Sequence, residues 1–281
     1  MGFITFLSIS VYGQPSEYPL SDKVHLPNTE ERTIHAKSNQ VAYKLYISLP
    51  EDYKKTVDEY PVLYLLDADY SFALAKNITD HLSEEDDLQP VILVGIAYDQ
   101  AEEYQVNKIR DYTPTKASEL DYSPILLPLN TGGAKVFKEF LEKELMPFVG
   151  EHYRVNDHKA IAGHSFGGLF CSWAMLETPD LFDGYIIVSP TLWYDDYMLY
   201  RMEDRLPMRM DQNTKVYMTV GDLDRSHRWN LRTDLDGFYG VLKNKKVSRL
   251  HIKHSVARGQ THNSVLPSGL SNGIRFVFDG N

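Results

Sequence analysis

The sequence predicts an α/β protein built on a mostly parallel, doubly wound sheet with helices on both faces. Three observations carry this. Two continuous apolar runs, 62–66 (VLYLL) and 91–98 (VILVGIAY), read as strands buried on both faces. Stretches with a helical apolar period lie between such runs, most clearly 135–149. A glycine-rich turn, GHSFGG at 163–168, then joins a short apolar strand to a further helical stretch.

Taken in order, residues 41–49 alternate, with Val41, Tyr43, Leu45, Ile47 and Leu49 on one face of a half-buried strand. Pro61 opens the run 62–66, a helix is expected over 73–82, and Pro90 precedes the run 91–98. Because two strands precede the first helix, they are expected to form an antiparallel edge. Residues 99–132 are polar and interrupted by Pro114, Pro124 and Pro128, which reads as a long loop or insertion. Over 135–149, Val136, Phe137, Phe140, Leu141, Leu145 and Phe148 make one helical face with charges opposite. A strand at 158–165 and a helix at 167–176 follow. Strands are expected at 185–188, 216–220 and 250–254, with helices at 229–242 and 268–278.

Composition excludes several classes. With 29 Lys and Arg against 39 Asp and Glu the formal charge is −10, which leaves no basic surface for phosphate-based binding of nucleic acid. The lone Cys171 forbids an internal disulfide and every multi-cysteine metal site, and reads as a small buried hydrophobe. Residues 1–14 are apolar at first and too short to span a bilayer; they resemble the remnant of a signal peptide, which would make the protein exported, periplasmic or secreted. The basic start of a leader is missing, so Met1 falls inside a longer leader on that reading; otherwise the segment is a strand packed on a cytoplasmic protein. From 15 to 281 no linker, repeat or low-complexity tract appears, and one domain is expected.

GHSFGG carries the sharpest chemical signal. In G-x-S-x-G after a strand and before a helix, the serine occupies a strained turn that projects its Oγ toward substrate. Gly163 and Gly167 permit the close approach of strand and helix. The backbone N–H of Phe166 falls at the helix start, where it can hold an oxyanion with the help of the helix dipole. Ser165 is therefore the expected nucleophile, against the plainer reading of a structural glycine turn. A nucleophile of this kind is followed in the chain by an acid and then a histidine. His262, in a glycine-bearing loop after the last strand, is the expected general base; His227 is the weaker rival. The acid should follow the penultimate strand, where Asp224 is preferred and Asp222 is kept as the alternative. A second oxyanion donor is expected from the backbone after the 62–66 strand, at Ala68, Asp69 or Tyr70.

These pieces together resemble the esterase family of α/β-hydrolases that includes feruloyl and acetylxylan esterases, siderophore esterases and S-formylglutathione hydrolase. The resemblance spans most of residues 30–281. It rests on YLLDADYSF (64–72), IRDYTP (109–114), GHSFGG, SPTLWYDD (189–196), GDLD (221–224) and GQTHNSVLP (259–267). It implies an α/β-hydrolase fold, hydrolysis of carboxylic esters, and Ser165, Asp224 and His262 as the triad. One departure is Ala68, where the family often has glycine. Arg110 is a candidate for substrate contact, beside the alternative of an ion pair with Asp111; Trp193 and Tyr194 are candidates for an aromatic wall, beside plain packing.

The expected reaction needs no cofactor and no metal, and the expected partner is a small-molecule ester. Two other readings use the same residues: an acyltransferase or peptidase, and a binding protein that has kept the fold without catalysis. His251 and His254 do not suggest a metal pair, because residues three apart on a strand face opposite sides.

Overall fold

The computed structural model describes residues 25–84, 87–99, 104–117, 131–225 and 229–279. The expected leader, His227 and much of the 99–132 stretch lie outside the described residues. Among those described, eight strands form one sheet in the order β1-β2-β4-β3-β5-β6-β7-β8. They are β1 (Thr29–His35), β2 (Ala42–Ser48), β3 (Tyr60–Leu65), β4 (Ile92–Tyr98), β5 (Val155–His164), β6 (Gly184–Val188), β7 (Arg209–Gly221) and β8 (Ser248–Ala257). From β4 to β8 all pairings are parallel, while β1–β2 and β2–β4 are antiparallel.

The antiparallel edge therefore differs from the expected one. The strand opening at Tyr60 lies in the interior, parallel to β4 and β5, and the edge is completed by β1, which sequence reading missed. The reason is chemical: TEERTIH has only half-buried or exposed positions, so it shows no apolar alternation.

Two cores fill the faces. Successive residues of β3 part between them, Val62, Tyr64 and Leu66 to one and Leu63 and Leu65 to the other. The second face is covered by α1 (Ala68–Glu84) and α8 (Leu266–Phe278), which touch each other. The first is covered by α2 (Tyr104–Tyr112), α3 (Ala134–Phe140), α4 (Met146–His152), α5 (Phe166–Glu177) and α7 (Leu231–Asn244). A π-helical turn at Leu141–Leu145 joins α3 to α4, making one long helix where a single one was expected. The short α6 (Tyr194–Tyr197) leads into a 3₁₀ stretch, Met198–Arg205.

Two further differences matter for the site. α1 begins at Ala68, five residues before the expected start at 73, so the candidate oxyanion donors stand in its first turn. The stretch read as a loop contains α2. That helix buries Asn107, Lys108 and Asp111 beside Ile109 and Tyr112, so its inward face carries charge and escapes an apolar-period search.

Candidate active site

In a doubly wound sheet the groups that meet ligand gather beyond the C-terminal ends of the parallel strands. Strands β3 and β5 are neighbours, with Leu65 opposite Ala162, and each runs straight into a helix. The N-termini of α1 and α5 therefore stand side by side. The first-turn N–H groups of a helix, here including those of Ala68, Asp69 and Phe166, have no partner within the helix ladder. A groove of ≈ 430 Å³ lined by Pro27, Pro50, Tyr60, Glu84 and Val91 opens at the opposite, N-terminal end of β3 and β4.

Ser165 sits between β5 and α5 at φ 60°, ψ −118°, outside the regions that non-glycine residues favour. The turn is held by its N–H donating to the Val188 carbonyl (3.0 Å), while its own carbonyl accepts from Leu169 (3.0 Å) and Thr191 (3.2 Å). A Cβ on Gly163 would lie 2.3 Å from the Gly167 carbonyl group and 3.0 Å from Cys171 Sγ. On Gly167 it would lie 2.9 Å from Asp67 Oδ2. Both glycines thus answer to close approaches, and Cys171 packs behind the serine turn, fully buried.

His262 and Asp224 come together: the imidazole Nδ1–H donates to Asp224 Oδ2 at 3.0 Å, with the carboxylate 5% exposed and the imidazole 36%. Asp224 is fixed by its N–H on the Gly221 carbonyl (3.1 Å) and by its own carbonyl accepting from Leu231 at the start of α7. Asp222 is occupied elsewhere, accepting the Gly259 N–H at 2.6 Å. That contact ties the β7 loop to the β8 loop, with Leu223 N–H on the Gln260 carbonyl (3.0 Å) beside it.

Among the other expected residues, Arg110 is turned to Asp111, donating from Nε (2.7 Å) and Nη2 (3.0 Å), and from Nη1 to Asn107 (2.9 Å). Trp193 stacks on Trp229, with centroids 4.1 Å apart and planes at 13°. Phe166 sets its ring edgewise to Trp193 and Tyr194, and Tyr194 O–H donates to the Thr115 carbonyl. An aromatic group thus stands directly after the serine.

Sequence reading missed a second set of residues. Asp67, at φ 57° and 1% exposed, accepts Tyr104 O–H (2.7 Å) and Lys108 Nζ (2.8 Å). His164, 5% exposed, links Tyr70 O–H on Nδ1 (3.2 Å) to the His262 carbonyl on Nε2 (2.8 Å). Asp67 and Tyr70 belong to the quoted YLLDADYSF and His164 to GHSFGG, but only spatial contact reveals that they act with α2 and with His262. Among the described residues no group of three or more His, Cys, Asp or Glu is placed to hold a metal, and no helix is long and apolar enough to cross a membrane.

Comparison with known proteins adds the family. A family model described as Putative esterase matches residues 37–264. The ferri-bacillibactin esterase BesA of Bacillus subtilis (strain 168) is 29% identical over 266 residues, covering 92% of this chain and 92% of that protein. The solved BES protein from Bacillus cereus superposes with a TM-score of 0.83 at 27% identity, over 92% of this chain and 99% of its own. An IroE-like serine hydrolase from Shewanella oneidensis gives a TM-score of 0.79 at 28% identity, over 89% of this chain and 80% of its own. The fold is that of the α/β-hydrolases.

Proposed function

The chain belongs to the Putative esterase family and is an enzyme of carboxylic ester hydrolysis, and from that premise we propose a serine esterase that works through Ser165, His262 and Asp224 with an acyl-enzyme intermediate. The observation that carries the reading is the hydrogen bond from His262 Nδ1–H to buried Asp224, across the strand ends from the strained Ser165 turn. With Nδ1 carrying the proton, Nε2 of the imidazole is left free to act as a base.

His262 takes the Ser165 hydroxyl proton as Oγ attacks the ester carbonyl. The carbonyl oxygen, now negative, is held by the N–H groups of Phe166 and of Ala68 or Asp69. Collapse breaks the bond to the alcohol oxygen, and His262 returns the proton to it. Water then repeats the sequence on the acyl-serine, releasing the acid and restoring Ser165. Asp224 keeps the imidazole in its working tautomer and stabilises the imidazolium. The aromatic faces of Trp193 and Tyr194, and the remaining N–H groups of Arg110, are assigned to substrate contact.

For the substrate we infer a siderophore ester, on the strength of the likeness to a ferri-bacillibactin esterase over 92% of both chains and to a siderophore triacetylfusarinine C esterase of Aspergillus fumigatus over 91% of this chain. Two measurements test the proposal. A fluorophosphonate probe should add to Ser165 alone, as read by mass spectrometry, and Ser165→Ala should lower kcat by about 10⁴–10⁶. Labelling elsewhere, or turnover surviving in the Ala variant, overturns the mechanism. The kcat/KM for bacillibactin, with and without ferric ion as part of the substrate, should exceed that for simple aryl acetates. The reverse order overturns the substrate but leaves the mechanism standing.

A further inference from the structure

We propose that His164, the residue before the nucleophile, is a positioning residue for the general base, gripping the His262 backbone carbonyl through Nε2–H while Tyr70 O–H fixes its tautomer. The proposal rests on the serine-esterase reading.

The tautomer follows from the partners. A backbone carbonyl only accepts, so the Nε2 that lies 2.8 Å from the His262 oxygen carries the hydrogen. A neutral imidazole has one N–H, so Nδ1 accepts, and the Tyr70 hydroxyl 3.2 Å away donates to it. Tyr70 stands in the first turn of α1, next to Ala68 and Asp69. One chain of hydrogen bonds therefore crosses three loops: the start of α1, the serine turn, and the loop carrying the base.

The grip acts on the peptide of His262 itself. The rest of its loop has other supports: Gln260 accepts from Leu223, Thr261 N–H donates to Ser264 Oγ (2.8 Å), and the Thr261 and Asn263 carbonyls accept from Val265 and Leu266. Those bonds account for the loop's fold and leave the His262 carbonyl to His164. What His164 adds is the placement of one residue.

The arrangement works only while His164 is uncharged, because the two imidazole centroids are 4.6 Å apart. Burial, helped by the charge of His262, pushes His164 down to about 4; the hydrogen bond to the His262 carbonyl and the charge of Asp67 act against this, and Lys108 acts with it. His164 thus stays neutral as His262 becomes imidazolium during turnover, and does not compete for the proton.

The test compares His164→Phe, His164→Gln and Tyr70→Phe with the wild type and Ser165→Ala on an aryl ester. The Phe variant fills the volume without a donor, whereas the Gln amide places an N–H near the Nε2 position. A misplaced base costs up to about 10²-fold, so H164F should lose about 10–100-fold in kcat with KM little changed. H164Q should recover most of that loss, and Y70F should lose about 2–10-fold. The far-downfield proton resonance of the His262–Asp224 hydrogen bond should broaden in H164F and persist in H164Q. Wild-type kcat in H164F overturns the proposal, as does equal loss in the Phe and Gln variants when both melt like the wild type. If H164F does not fold, Y70F decides: unchanged kcat and resonance overturn the positioning role. Ser165→Ala separates the two levels. If it is inactive while the His164 variants turn over normally, only the positioning role falls; if it stays active, the serine reading falls and takes this one with it.

Discussion

On one side of Ser165, against β3 and α2, charges are buried in pairs. Asp67 accepts from Tyr104 and Lys108, and Asp111 accepts from Arg110, Tyr43 (2.7 Å) and Tyr98 (3.1 Å). On the other side, from Ser189 into α7, aromatic rings replace the charges and the backbone is strained. Ser189, Asp195, Asp196 and Tyr197 all have φ between 43° and 54°. There the buried oxygens of Ser189 Oγ, Thr191 Oγ1 and Asp234 Oδ2 have no hydrogen-bond partner among the described residues; on the α2 side the same holds for Asp67 Oδ2 alone, in a residue that is itself at φ 57°. Unpaired polar atoms and left-handed backbone each cost about 1–3 kcal/mol. The α2 side therefore reads as a frame whose buried charges are paired and whose strain is confined to Asp67, and the side from Ser189 into α7 as a wall over which strain and unpaired oxygens are spread.

Breaking the frame should produce the largest stability effect. Lys108 is 7% exposed and pairs with Asp67 at 1%. Removing one partner of such a pair strands a buried charge, at about 3–5 kcal/mol. Lys108→Met should lower urea-unfolding stability by that amount, and Asp67→Asn added to it should restore much of the loss. A loss under about 1 kcal/mol would mean that the pair is solvated and the frame is not a frame.

The same contrast explains what the sequence disclosed. The runs 62–66 and 91–98 were legible because apolar residues bury them on both faces, and the Ser165 turn and the contact of His262 with Asp224 because chain order and strand ends constrain them. α2 stayed hidden because Lys108 and Asp111 occupy its buried side, inverting the usual signal. β1 stayed hidden because an exposed edge strand demands no alternation. The link from His164 to the His262 carbonyl joins residues 98 apart through a backbone atom, which no side-chain identity can announce.

His164 also gives the contrast a pH signature. Its folded value of about 4 lies below the usual 6.5 for histidine. The unfolded chain therefore takes up a proton first as pH falls. Stability is fully present above about pH 6.5 and declines toward pH 4, by about 3 kcal/mol in total for this one buried group. In H164Q that part of the decline should vanish, so the wild-type and variant stability curves should converge or cross on acidification. Parallel curves from pH 7 to pH 4 would show that His164 is not held neutral.

The smallest expected effect belongs to the strained wall and has the opposite sign. Asp234 lies in α7, 8% exposed, where burial pushes its carboxyl up to about 6 against the single opposing hydrogen bond from Tyr197. A raised folded value means that the folded state favours the protonated acid, so ionisation weakens it. The penalty is absent below about pH 4 and complete above about pH 6. A shift of this size in a fully buried group would correspond to about 3 kcal/mol, but partial solvation screens the charge and reduces it to about 1 kcal/mol. Asp234→Asn keeps the acceptor for Tyr197 and removes the charge, so it should stabilise the protein by about 1 kcal/mol at pH 7 and leave it unchanged at pH 4. Calorimetric melts at the two pH values read this directly. If the Asn variant is instead less stable at pH 7, the carboxylate is satisfied where it lies, and both walls of the site are built as frames.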